Sequence, residues 1–262
     1  MGMKTEGLIK VEGLSLGLEQ SLEKQLGSAG VVITDLDDVW FRTSEVYERR
    51  MSEVAQVFAP MVGKETGQVF DDLLSMILAR RSVMEVNPLI MPAAVADLYR
   101  RYGLEDKMGL AMAYGSILEI FDDFLPLYAG AEMSWPVLGG LKQIRVAAWT
   151  HADAEWTQRK MMMYPGLERV FSGGVFAVDV DKPKECGSVL SSLGVGPNEV
   201  VVVGDSLRSD VLTAVEAGVP GENIFWINAK SVPVGEVELP DGVRVVANLW
   251  EAVNVMAMGW SR

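Results

Sequence analysis

The hydrophobic positions of this chain follow two different periods. From 43 to about 128, apolar residues recur at spacings of three and four, as in Val54, Val57, Phe58 and Met61, then Phe70, Leu73, Leu74, Ile77 and Leu78. That period is helical, and the stretch contains no convincing β run. Pro88 and Pro92 divide it into an earlier helix pair and a later one, the later covering 94–102 and 111–124. Elsewhere, short β-branched runs alternate with helical segments. Strands are predicted at 31–35, 143–150, 174–180, 200–203, 224–228 and 243–246, and helices at 154–163, 185–193, 209–217 and 249–258. Residues 1–29 read as a lead-in with a helix over 16–26, ended by Gly27-Ser28-Ala29-Gly30. Strands alternating with helices imply a parallel sheet with right-handed crossovers, so the all-helical stretch is an insertion after the first strand.

The first strand leads into the most informative residues. Val31-Val32-Ile33-Thr34 is an apolar run that reads as a strand buried on both faces, and it continues as Asp35-Leu36-Asp37-Asp38-Val39. In open α/β sheets, ligands bind beyond the carboxyl ends of such strands. Asp35 and Asp37, two residues apart, point to one side if strand geometry persists. At ~4 Å two like charges repel by about 4 kcal/mol at an effective dielectric near 20. A hard cation with oxygen ligands is the natural compensation. Three further places sit at element ends. Thr150 closes its strand with a hydroxyl, and Lys182, in Asp181-Lys182-Pro183-Lys184, opens a helix with a fixed cation. Gly204-Asp205-Ser206-Leu207-Arg208-Ser209-Asp210 puts two carboxylates beyond the four-valine strand. Each alone reads as a cap or a turn. Their order is the informative part.

Composition narrows the classes. A length of 262 residues fits one large domain or a domain with an insertion, and 49% hydrophobic content permits a sizeable core. A net charge of −13 without a basic stripe argues against a nucleic-acid footprint. Arg49-Arg50, Arg80-Arg81 and Arg100-Arg101 read as solvated helix faces. An acidic protein that takes an anionic substrate must reverse its field locally, by fixed cations or a metal. The single cysteine, Cys186, on a predicted surface helix, excludes an internal disulfide and suggests a reducing compartment. A single histidine, His151, argues against a zinc site or a histidine-based hydrolase. The start lacks a signal-peptide pattern, and no stretch has the length to cross a bilayer, so a cytoplasmic protein without membrane contact is expected. Val62-Gly63-Lys64 lacks the earlier Gly and the Ser/Thr of a P-loop.

Taken together, these motifs resemble those of the haloacid dehalogenase-like superfamily. Val31–Val39 is similar to its first motif, Thr150 to the second, Lys182 to the third, and Asp205 with Asp210 to the fourth. The resemblance spans about Val31 to Gly218. It implies an α/β fold with a Rossmann-like three-layer core around a parallel sheet, formed by 1–42 and 129–262, with 43–128 as an inserted helical cap. It also implies roles. Asp35 would be the nucleophile, forming an aspartyl-phosphate, and Asp37 the acid and then the base. Thr150 and Lys182 would hold phosphoryl oxygens. Asp205, the Asp35 carboxylate and the Asp37 carbonyl would hold Mg²⁺, with Asp210 acting one step behind by orienting Lys182 or a metal-bound water. His151, next to Thr150, is a further candidate phosphate contact. An Asp at position 37 favours phosphate esters, because the superfamily's dehalogenases lack it. The expected function is therefore a Mg²⁺-dependent phosphatase acting on a small phosphorylated metabolite. A phosphomutase, or a phosphate-binding relative without turnover, stays open. Trp40 departs from the family pattern, and either narrows the entrance or packs under the cap. Met161-Met162-Met163 reads as helix packing, and Trp135, Trp149 and Trp156 as core or cap-facing residues.

Overall fold

The computed structural model describes residues 17–27, 30–81, 90–178, 182–228 and 238–259. Its centre is a six-stranded parallel sheet of β1 (Val31–Thr34), β2 (Arg145–Thr150), β3 (Gly174–Ala177), β4 (Val200–Gly204), β5 (Ile224–Ile227) and β6 (Arg244–Val246). The strands lie in the order β3-β2-β1-β4-β5-β6. The chain thus builds outward from β1 to β3, then returns to the other side of β1 for β4. The crevice of such a sheet opens at that reversal, between β1 and its two neighbours. Register places Val31 beside both Arg145 and Val200, so the ends of β1, β2 and β4 lie side by side.

Helices cover both faces, as the buried residues record. Along β1 and β4, Val32, Val201 and Val203 belong to one core, and Val31, Ile33, Val200 and Val202 to another. This is the two-residue alternation of a strand, here apolar on both sides. The first core takes Leu22 and Leu26 from the region of α1 (17–25) and Ala252, Val253 and Met256 from α10 (Leu249–Met258). The second takes Cys186, Val189 and Leu190 from α8 (Lys182–Leu193) and Ala214 from α9 (Thr213–Glu216). The three-layer α/β reading therefore holds.

Between β1 and β2 come α2 (Thr43–Val62), α3 (Thr66–Arg81), α4 (Ile90–Arg101) and α5 (Lys107–Leu118), then α6 (Ala129–Gly140). The helical stretch is as its period predicts, but its punctuation differs. Pro92 lies in the first turn of α4, where its missing N–H has no helical partner to lose, and not between helices. Pro88 lies outside the described residues, as do 1–16, 28–29 and the last part of the predicted strand at 179–180. α6 is unanticipated, because Gly130, Gly139, Gly140 and Pro136 disguise it. Its buried Ala131, Ser134, Val137 and Leu138 pack it beside α10. After β2 comes α7 (Ala154–Met162), capped by the Asp153 carboxylate, which accepts from Trp156 N at 2.9 Å.

Two surface expectations are corrected, for Cys186 and Arg50, and of the two readings of Trp40 the one at the entrance falls. Cys186 faces the core from α8 and is buried, because α8 lays that face on the sheet. Burial pushes its thiol up to about 11. Arg50 is not a solvated residue: its side chain is only 13% exposed and bonds Asp123, Glu53 and Glu119. Trp40 does not stand at an entrance. It is fully buried, packs edge-on against Phe171 at 5.3 Å and donates from Nε1 to Thr34 Oγ1 at 3.2 Å.

Candidate active site

Strand geometry ends at Thr34, and the backbone then turns through Leu36–Phe41. Asp35 N still donates to Val203 O at 3.0 Å, which fixes Asp35 at the gap between β1 and β4. The turn passes through Asp38, whose φ of 57° is left-handed, a conformation that Asp tolerates better than most side chains. Asp38 accepts at Oδ1 from Ser44 N at 3.0 Å and also from Ser44 Oγ, so it caps the first turn of α2. Arg42, at the helix's N-cap, supplies no such bond.

Asp35, Asp205 and Asp210 each offer a carboxylate oxygen, and these atoms lie within 4.8 Å of one another. Lys182 is wholly buried beside them. Its Nζ is 2.5 Å from Asp210 Oδ1, 3.3 Å from Asp35 Oδ1 and 4.8 Å from the centre of the Trp149 ring. The second oxygen of Asp210 accepts from Ser206 N at 2.9 Å. The two oxygens of Asp210 thus hold Lys182 and its own loop. Asp210 sits on the π-helical turn Leu207–Leu212 that leads into α9. Gly204 lets it approach, since a Cβ there would collide with its carboxylate.

Asp37 turns away from this cluster to a cation that the sequence motifs do not reveal. Both of its oxygens accept from Lys160 Nζ, at 2.7 and 2.9 Å. Thr43 Oγ1 donates to Oδ1 at 2.5 Å, and Thr150 Oγ1 to Oδ2 at 3.4 Å. Lys160 is 0% exposed, and with Trp156, Thr157 and Met161 it forms the buried face of α7. A lysine on the apolar stripe of the helix that follows Thr150 was the legible signal. His151 and Trp156 line the same cavity as Asp35, Asp37 and Asp205. Trp149 and Met161 are core residues, and Met162 points to solvent.

The electrostatics separate the acids. Burial raises Asp35 to about 7, aided by Asp210 and Asp37 and opposed by Lys182. Burial likewise raises Asp205 to about 8, with Asp35, Asp210 and Asp38 adding to it. For Asp37 the burial effect is outweighed by the charge and hydrogen bonds of Lys160 and by Thr43, so its carboxyl is held below the usual value. Lys182 shows the same contest, its burial outweighed by Asp210 and Asp35, and is held charged. Among the described residues, five carboxylates, Asp35, Asp37, Asp38, Asp205 and Asp210, are gathered against the ammonium groups of Lys160 and Lys182. The donor set is all oxygen, buried and short of positive charge, and it fits a hard divalent cation.

A pH dependence follows. The folded-state pKa values of Asp35 and Asp205 lie above the ordinary 3.8, so between about pH 4 and 8 the folded protein binds more protons than the unfolded chain. Their contribution to stability is complete below about pH 4 and is lost as pH rises to about 8. Asp37 has the opposite sign, but it acts below its ordinary value and so outside this window. Thermal melts of metal-free protein should give a lower Tm at about pH 8.5 than at about pH 5, and Mg²⁺ should raise Tm more at the higher pH. Asp205→Asn should flatten both trends. A cation shift independent of pH would refute this account.

With the geometry in place, comparison with known proteins gives the class. The model of the haloacid dehalogenase-like hydrolases matches residues 30–218, and the chain belongs to that family. It is a hydrolase of the superfamily whose members commonly use a divalent metal. No curated protein is matched by the sequence. Among solved structures, the fold is similar to a haloacid dehalogenase-like family hydrolase from Xanthomonas campestris, with 16% identity, 88% of this chain and 93% of that one covered, and a TM-score of 0.71. It is also similar to a HAD phosphatase from Thermococcus onnurineus (20% identity, 86% and 97% covered, TM-score 0.55). A third is the L-2-haloacid dehalogenase from Xanthobacter autotrophicus (16%, 88% and 100%, TM-score 0.56). These likenesses concern the fold. No helix among the described residues is long and apolar enough to cross a membrane.

Proposed function

We propose that this chain is a Mg²⁺-dependent phosphatase that hydrolyses a small phosphorylated metabolite in the cytoplasm, with 1–42 and 129–262 as its core and 43–128 as a cap over the site. The observation that carries the reading is the pairing of two differently held acids. Asp35 stands among Asp205, Asp210 and Lys182, while Asp37, two residues on, is held by Lys160, Thr43 and Thr150. Environments that push neighbouring carboxyls apart mark a division of chemical labour. An acid at position 37 also speaks for esters over haloacids.

In this reading the Asp35 carboxylate attacks phosphorus and becomes an aspartyl-phosphate. Lys182 and Thr150 steady the phosphoryl oxygens as charge shifts among them. Asp37 is ionised as held by Lys160, which suits it to take a proton from the water that later cleaves the acyl phosphate. It serves the leaving alcohol after taking up the proton of a substrate bound as its monoanion. Asp35 and Asp205, with the Asp37 carbonyl, would hold Mg²⁺, which supplies charge neutralisation between the carboxylate and the phosphate. His151, on the cavity wall, would contact the phosphate or the leaving group.

Release of phosphate from p-nitrophenyl phosphate, with Mg²⁺ and after chelation, tests this directly. Acid-quenched enzyme should carry a phosphoryl group on the peptide containing Asp35, and Asp35→Asn should lose both label and turnover. Turnover that persists in Asp35→Asn would defeat the proposal.

A further inference from the structure

Beyond the acids, the site opens into a cavity of about 620 Å³, a size suited to a small organic ligand. Its lining includes Met51, Leu74, Ile77, Ile90, Phe121 and Trp156. Among the described residues no Lys or Arg lines it, and the charged side chain that the helices of 43–128 bring to its wall is Glu48, an acid. Six of the cations of that region are committed elsewhere, and Lys107 is not among the residues that line the cavity. Arg49 and Arg50 pair with Asp123, Lys64 and Arg101 with Asp72, and Arg80 and Arg100 with Asp97. The segment 82–89, outside the described residues, contributes Glu85 and no basic residue to the sequence.

Resting on the phosphatase reading, we infer that the substrate is a monophosphate ester of an uncharged, largely apolar alcohol, aryl or alkyl, and not one carrying a second anion. A carboxylate or second phosphate on the leaving group would meet Glu48 on a wall with no Lys or Arg among the described residues, and a polyol would give up hydration for a lining in which aliphatic and aromatic side chains outnumber hydroxyls. An apolar group removes the wall from water instead. This disfavours sugar bisphosphate chemistry, and with it the mutase alternative.

Two measurements separate this inference from the reading beneath it. The first is steady-state phosphate release from n-alkyl monophosphates of increasing length and 1-naphthyl phosphate, against phosphoglycolate, glucose 6-phosphate and AMP. KM should fall roughly two- to fourfold per added methylene until the cavity fills. The second needs no turnover: calorimetric binding of 1-naphthylmethylphosphonate and phosphonoacetate to Asp35→Asn with Mg²⁺. The apolar phosphonate should bind at least about tenfold tighter. Leu78→Arg places a cation on the wall at a residue 54% exposed, so folding is spared, and it should narrow that preference. Esters hydrolysed with a flat KM series, or phosphonoacetate bound as well as the naphthyl compound, would overturn the inference while leaving the phosphatase intact. Selective binding of the apolar phosphonate with no ester hydrolysed would do the reverse.

Discussion

Lys160→Met is expected to lower Tm by roughly 5–10 °C and to slow hydrolysis of alkyl phosphates far more than that of p-nitrophenyl phosphate. Removing one member of a buried ion pair typically costs about 3–5 kcal/mol, because the other charge is left without a partner. Asp37 is 27% exposed, so water recovers part of that loss and about 2–3 kcal/mol is the fitting figure. Thr43 and Thr150 continue to donate to the carboxylate, but neither carries charge. Alkyl alcohols are poor leaving groups and need a well-placed proton donor, whereas p-nitrophenolate departs almost unaided. A variant that merely loosened the fold would slow both esters alike. The double variant Lys160→Met/Asp37→Asn should regain most of the lost Tm, since no buried charge is then orphaned. Undiminished stability in the single variant would show that the pair contributes nothing.

Lys182→Met is expected to have the larger effect. Its ammonium serves two acids that are more deeply buried, Asp35 at 10% and Asp210 at 2% side-chain exposure. About 4 kcal/mol of stability should go with it, and kcat/KM should fall by at least roughly 10²–10³, the range seen when one preorganised donor to a developing anion is lost. Lys182→Arg should not rescue activity, because a planar fork does not fit a space shaped for a compact ammonium against the Trp149 ring. Mg²⁺ should recover part of the Tm by binding the same carboxylates, and no more than a small part of the rate. Melting curves and p-nitrophenyl phosphate turnover, each with and without Mg²⁺, read all of these. Full activity in Lys182→Met would show that its ammonium has no part in turnover.

These two lysines also measure how far the sequence could be read. Lys182 lies in a short motif between a strand and a helix, so position alone drew attention to it. Asp35, Thr150 and Asp205 were legible for the same reason, since each follows a β-branched run whose end must reach the crevice. Lys160 belongs to no motif. Its meaning comes from α7's rotation about its axis, which carries it into the core beside Trp156 and Met161. The place of Asp38 depends on a left-handed turn and on Ser44, six residues on, which no local pattern marks. α6 was hidden by residues that discourage helices, and tertiary packing on α10 overrode them. The burial of Trp40 and Arg50 depended on which faces of distant elements meet, which local period does not encode.

The orientation of α8 has a practical corollary. Because its one thiol lies inward and is reluctant to ionise, native protein should ignore maleimide reagents. A cysteine introduced at the exposed Met108, on α5, would then be the sole labelled position. A dye attached there would test whether the helices of 43–128 move when a ligand enters.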